Sequence, residues 1–150
     1  MEYQHLFYDE LQKMKRDTLP QGTQLYRAQQ DSFKNWKKYP HMWMSASEEW
    51  AREYSRTRYQ NGVIGAFKTS KPLVLLRATA GLYNICEKIY GLSVSNYHCQ
   101  QDVDLDDVLP VLGKLQGISG IVTVDSYKEI LIHSPTIWLE FSSETPCKEM

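Results

Sequence analysis

Apolar residues in this chain come in short runs bounded by turn-forming residues. Val63–Phe67, Pro72–Leu76, Gly120–Val124, Glu129–His133 and Ile137–Phe141 are each five residues long, and Asn61-Gly62, Lys68–Lys71 and Asp125–Lys128 set them apart. Runs this short suit β-strands rather than amphipathic helices. Thr23–Ala28 and His41–Ser45 read as further strands. The tally of about six strands comes with helices early and in the middle, not in regular alternation. That pattern is α+β and excludes a doubly wound parallel sheet.

The helical segments follow from spacing. Tyr3, Leu6, Phe7, Leu11 and Met14 share one face, which predicts an N-terminal helix over 2–17 with Lys13, Lys15 and Arg16 at its C-terminal end. Leu19-Pro20-Gln21-Gly22 then breaks the pattern. Ser45 with Glu48 three residues on forms a capping box and predicts a helix from about Ala46 to Arg58. Leu105, Val108, Leu109, Leu112 and Leu115 also have helical spacing, with Asp102 or Asp104 as cap. Gln30–Pro40 and Gly91–Gln101 read as loops, and 142–150 as a polar tail. With no linker or repeat visible, all 150 residues form one domain, long enough to bury roughly 70% of its unfolded surface.

A formal net charge of −1 excludes a generally basic nucleic-acid binder, though not a local basic cleft. No apolar run approaches the roughly 20 residues needed to cross a bilayer, so no membrane partner is expected. The first residues, Met1-Glu2-Tyr3-Gln4, lack a basic-then-apolar leader, which points to the cytoplasm. Cys86, Cys99 and Cys147 are too few and too scattered for a disulfide framework or a four-cysteine zinc site. Glycine-rich phosphate loops, His-Glu-x-x-His, Cys-x-x-Cys and Gly-x-Ser-x-Gly are all missing, so no metal is expected.

Three segments carry a more specific signal. Leu25-Tyr26-Arg27-Ala28 sets a cation in an apolar strand. Trp43 closes a strand, and Tyr54 follows after ten intervening residues, on the next helix. Tyr127-Lys128-Glu129 leads from a turn into Ile130-Leu131-Ile132. In order and spacing these resemble the ADP-ribosyltransferase superfamily of diphtheria-type toxins and poly(ADP-ribose) polymerases. That family has a His or Arg on its first strand, then a Tyr-x10-Tyr pair or a Ser-x-Ser strand, and last a Glu opening a late strand. Arg27 matches the first in its Arg form, Trp43 and Tyr54 the aromatic pair, Ser45-Ala46-Ser47 the Ser-x-Ser, and Glu129 the acid. The resemblance runs from about Gly22 to Phe141.

The resemblance implies a split β-sheet core with flanking helices. It also implies an NAD-dependent transferase that cleaves the nicotinamide–ribose bond and passes ADP-ribose to a protein or nucleic acid, often as a toxin or effector. Glu129 is then catalytic. Arg27, the Ala28 backbone, Trp43, Ser45, Tyr54 and Tyr127 bind NAD, which is a substrate. Tyr127 stands where arginine-modifying relatives carry Glu or Gln, which turns the expectation away from arginine as acceptor. Two further readings stay open: an RNA 2′-phosphotransferase of the same fold, and an inactive module binding NAD, ADP-ribose or a protein.

Plainer roles exist for each residue. Arg27 also fits an exposed strand position, Trp43 a core, Trp50 and Tyr54 one packed helix face, and Ser45 a simple cap. Lys34, Lys37 and Lys38 with Phe33 and Trp36 read as a solvated loop, or else as a contact for nucleic acid or a partner protein.

Overall fold

The computed structural model describes residues 15–60, 62–77 and 117–147. Eight strands are built among them: β1 (Arg16–Leu19), β2 (Gln24–Gln29), β3 (His41–Met44), β4 (Val63–Thr69), β5 (Leu73–Arg77), β6 (Gly120–Val124), β7 (Glu129–His133) and β8 (Leu139–Pro146). They form a five-stranded sheet in the order β1-β5-β6-β7-β3 and a three-stranded sheet in the order β2-β4-β8. An eleven-residue helix, α1 (Glu48–Arg58), joins β3 to β4. The architecture is α+β, as the apolar runs imply, with the split sheet that the resemblance implies.

The core lies between the sheets. Met42, Met44, Ile130 and Ile132 alternate inward from the paired strands β3 and β7. They meet Leu25 and Phe67 of the smaller sheet. Phe67 is fully buried, with ring centroids 5.6 Å from Phe33, 5.2 Å from Trp36 and 5.2 Å from Phe141. Phe33 packs close against β4 because position 65 is glycine; a Cβ there would come within 2.7 Å of its ring.

Gly120 is more tightly constrained. A Cβ at this position would fall on the carbonyl oxygen of Leu131 and lie 3.0 Å from the Ile132 Cα. Both are backbone atoms of the neighbouring strand, which cannot swing aside. Gly120→Ala is therefore expected to cost about 1–3 kcal/mol, read by chemical denaturation. A variant as stable as the parent would show that β6 and β7 can move apart.

Several expectations need correcting. The helix expected over 2–17 ends too late, since Arg16–Leu19 is a strand paired antiparallel with Leu73–Leu76; its earlier part lies outside the described residues. The described residues form eight strands where about six were expected. The loop from Gln30 to Pro40 contains a 3-10 helix at Phe33–Lys38, whose Phe33 and Trp36 are core residues while Lys34, Lys37 and Lys38 face solvent. The strand expected at Ile137 starts at Leu139, after a helical turn at Pro135–Trp138 that Pro135 initiates. The polar tail is largely β8, which pairs with β4 as far as Pro146. As an edge strand exposed beyond Leu139, β8 is held by backbone hydrogen bonds and needs no apolar pattern. The segments at Gly81–Gln101 and Leu105–Leu115 lie outside the described residues.

Candidate active site

Backbone hydrogen bonds join the two sheets beside the end of β3. Tyr26 N donates to Ser45 O at 2.7 Å and Ser45 N donates to Tyr26 O at 2.8 Å, which ties β2 to the residue just after β3. Ala46 N then donates to the carbonyl of Tyr127 at 2.8 Å and brings in the turn before β7. These backbone bonds draw together three segments far apart in sequence. Beside them opens a cavity of about 330 Å³, lined by residues that include Tyr26, Arg27, Ala28, Trp43, Ser45 and Glu129. Its other wall belongs to α1, through Trp50, Ala51 and Tyr54, with Tyr59 just beyond the helix.

Strand alternation explains the placement of Trp43 and Glu129. Trp43 pairs with Leu131, so Glu129, two residues earlier on β7, lies on the same sheet face as Trp43. Met44 and Ile130, the next pair, go to the core on the opposite face. Trp43 is thus half-buried at the cavity rather than part of the core. On α1, Tyr54 remains 43% exposed and Trp50 37%. Each has a cation over its ring, Arg58 at 5.4 Å from the Tyr54 centroid and Lys128 Nζ at 5.2 Å from that of Trp50. Neither ring is packed away, so the pair forms an open aromatic wall.

Arg27 is not an exposed strand arginine. It is half-buried, and its Nη1 donates to Trp43 O at 3.1 Å while its Nε donates to the Gln29 side-chain oxygen at 3.1 Å. Gln29, itself buried, is fixed by donating its amide to Asp31 O at 2.9 Å and Ser32 O at 3.2 Å. Burial draws the Arg27 pKa below its ordinary value, opposed by the nearby phenols of Tyr39, Tyr59 and Tyr54. Among the described residues both hydrogen-bond acceptors of this guanidinium are neutral. A half-buried cation held without a carboxylate is well prepared for an anionic ligand.

Ala28 contributes backbone. β2 is an edge strand of its sheet, and the outward groups of Tyr26 are the ones bonded to Ser45. By the two-residue period, the N–H and C=O of Ala28 point the same way, on the side where Ala28 lines the cavity. Tyr59 completes the floor; burial and the neighbouring Tyr54 hydroxyl push its phenol pKa up, and the two rings meet edge-on at 6.0 Å.

A solved structure shares this fold. It is a chain of the M. tuberculosis MbcT–MbcA toxin–antitoxin complex, with a TM-score of 0.53 and 10% sequence identity over 97% of this chain and 92% of that one. No family model and no curated protein matches the sequence. The likeness therefore rests on how strands and helices are arranged, over nearly the full length of both chains.

Six of the seven expected site residues, Arg27, Ala28, Trp43, Ser45, Tyr54 and Glu129, border the same cavity. Ser45 is not the helix cap: its hydroxyl accepts from Ser47 N at 3.0 Å, and Ser47 caps α1 by accepting from Trp50 N at 3.1 Å. Tyr127 is not among the lining residues; its ring packs against the main core and its hydroxyl donates to Asp17 Oδ2 at 3.4 Å. Tyr127 is thus the one expected site residue that does not border the cavity. Gln29, Trp50, Tyr59 and Lys128 were not anticipated as site residues. Only the i,i+4 spacing of Trp50 and Tyr54 signalled one of them, since it sets both rings on one face of α1.

Proposed function

We propose that this protein is an NAD-dependent ADP-ribosyltransferase that cleaves the nicotinamide–ribose bond and transfers ADP-ribose to a protein or nucleic acid. The observation that carries this reading is the convergence of Arg27, Trp43, Tyr54 and Glu129, from four separate elements, on one cavity. Nothing in core packing requires a cation, two aromatic rings and an acid to meet there. The shared fold with a chain of a toxin–antitoxin complex supports a toxin-like role and a protein partner.

Each group has a task in this reaction. Trp43 and Tyr54 hold the flat nicotinamide, each stack contributing roughly 0.5–1.5 kcal/mol. The outward backbone of Ala28 binds the carboxamide. Arg27 takes the diphosphate through charge-assisted hydrogen bonds of about 1.5–3 kcal/mol each. As the glycosidic C–N bond breaks, its electron pair leaves with nicotinamide and an oxocarbenium-like cation remains on the ribose carbon. Glu129 stabilises that cation and holds a ribose hydroxyl, as carboxylates do in glycosidases. The acceptor's nucleophilic atom then bonds to this carbon and releases its proton.

The direct test is to incubate the protein with NAD labelled in the nicotinamide ring. Free nicotinamide supports the proposal; a thermal shift with NAD and no product would replace it with a binding module, and neither response would remove NAD altogether. Arg27→Ala should raise the KM for NAD about ten- to a hundredfold, from the loss of one charge-assisted bond. Arg27→Lys should recover little of this, because an ammonium cannot keep both the Gln29 and Trp43 bonds. An unchanged KM in Arg27→Ala would separate Arg27 from the ligand.

A further inference from the structure

We propose that Tyr127 is a positioning residue for Glu129, and that Asp17 acts through it. The inference rests on the role given to Glu129 above. Ser126 and Tyr127 both have left-handed backbones, with φ of 63° and 57°. Side chains with a Cβ avoid this conformation, and two in succession persist only where the surroundings impose it. Lys128 and Glu129, the next two residues, both line the cavity. The strained pair is thus the bend that turns the chain from the end of β6 into the site.

Three contacts hold the bend. The Tyr127 carbonyl accepts from Ala46 N at 2.8 Å, its ring packs on the main core, and its hydroxyl donates to Asp17 Oδ2 at 3.4 Å. The same Asp17 oxygen lies 2.7 Å from Arg77 Nη2, and the Asp17 side chain is only 11% exposed. A chain of polar contacts therefore runs from Arg77 on β5, through Asp17 on β1, to the turn that presents Glu129. Asp17 itself does not border the cavity. The hydroxyl of Tyr127 is its link to the site, and removing that single oxygen leaves the ring and its packing in place.

The test compares Tyr127→Phe, Asp17→Asn and the double variant with the parent protein. Three readouts are needed: kcat and KM for nicotinamide release, the unfolding temperature, and the 13C resonance of the Glu129 side-chain carboxyl in labelled protein. Tyr127→Phe should lower kcat about tenfold, with KM within about twofold and the unfolding temperature within a few degrees, the pattern of a misplaced group rather than a lost binding contact. Asp17→Asn should give a similar loss, and the double variant no more than either. The Glu129 resonance should move to a common new position in all three. A resonance that stays at its parent position in Tyr127→Phe, or losses that multiply in the double variant, would overturn the proposal. If the parent releases no nicotinamide, the NAD reading alone fails, and the resonance still decides whether Tyr127 aims Glu129. Should Asp17→Asn not fold, Tyr127→Phe decides by itself.

Discussion

Replacing Glu129 by Gln is expected to slow nicotinamide release at least about a hundredfold with the fold unchanged, since placed charges of this sort supply about 3–4 kcal/mol of barrier lowering. Gln matches Glu in size and keeps a carbonyl oxygen for the ribose hydroxyl, so the loss isolates the charge facing the developing cation. The backbone at this position is held firmly. Glu129 pairs with Val124 on β6, and Ile130, Leu131 and Ile132 behind it are fully buried. The effect should fall on kcat, in contrast to Arg27→Ala, which acts on KM. Circular dichroism and the unfolding temperature check the fold, and a rate close to the parent's would refute the catalytic role.

Phe67→Ala should be the most damaging change to stability, at about 3–5 kcal/mol. The ring is wholly buried between the sheets and meets three other aromatic rings edge-on. Its removal leaves a void that Phe33, Trp36 and Phe141 cannot close, because Phe33 is already packed close against Gly65 and Trp36 is fixed in a 3-10 helix. Domains of this size are stable by about 5–15 kcal/mol, so the variant would be left near the margin at 37 °C. Phe67→Leu keeps most of the volume and should lose less. Equal losses for Ala and Leu, measured by denaturant unfolding, would mean that edge-on ring contact rather than filled space holds this core.

How far the sequence foretells the structure depends on what holds each strand. β4, β5, β6 and β7 bury apolar side chains, so Val63–Phe67, Leu73–Leu76, Gly120–Val124 and Glu129–His133 announce themselves. β1 and β8 sit at sheet edges, where pairing with a neighbour's backbone suffices, and Arg16–Leu19 and Ser142–Pro146 carry no hydropathic trace of it. The capping pattern pointed to Ser45, three residues before Glu48, but the paired bonds with Tyr26 tie Ser45 to β2 and the cap of α1 is Ser47.

At the site, Arg27, Trp43, Tyr54 and Glu129 could be picked out through the family resemblance because each sits at a fixed place on its own strand or helix. Gln29 could not. Its importance comes from gripping the Arg27 guanidinium while anchored to the Asp31 and Ser32 carbonyls, an arrangement that no periodicity encodes. Tyr127 misled for the opposite reason. The resemblance put it with the ligand, two residues before Glu129, but it lies in a left-handed turn ahead of β7 and its ring packs on the core.

The paired hydrogen bonds between Tyr26 and Ser45 join two sheets at the border of the cavity. A wedge driven between the sheets at this seam would carry Arg27 and Ala28 away with one half and Trp43 with the other, while each half kept its own ladder of strands. Because Leu25 and Phe67 of one half share a single buried cluster with Met42, Met44, Ile130 and Ile132 of the other, such a parting would open the core itself, so pocket and fold are lost together.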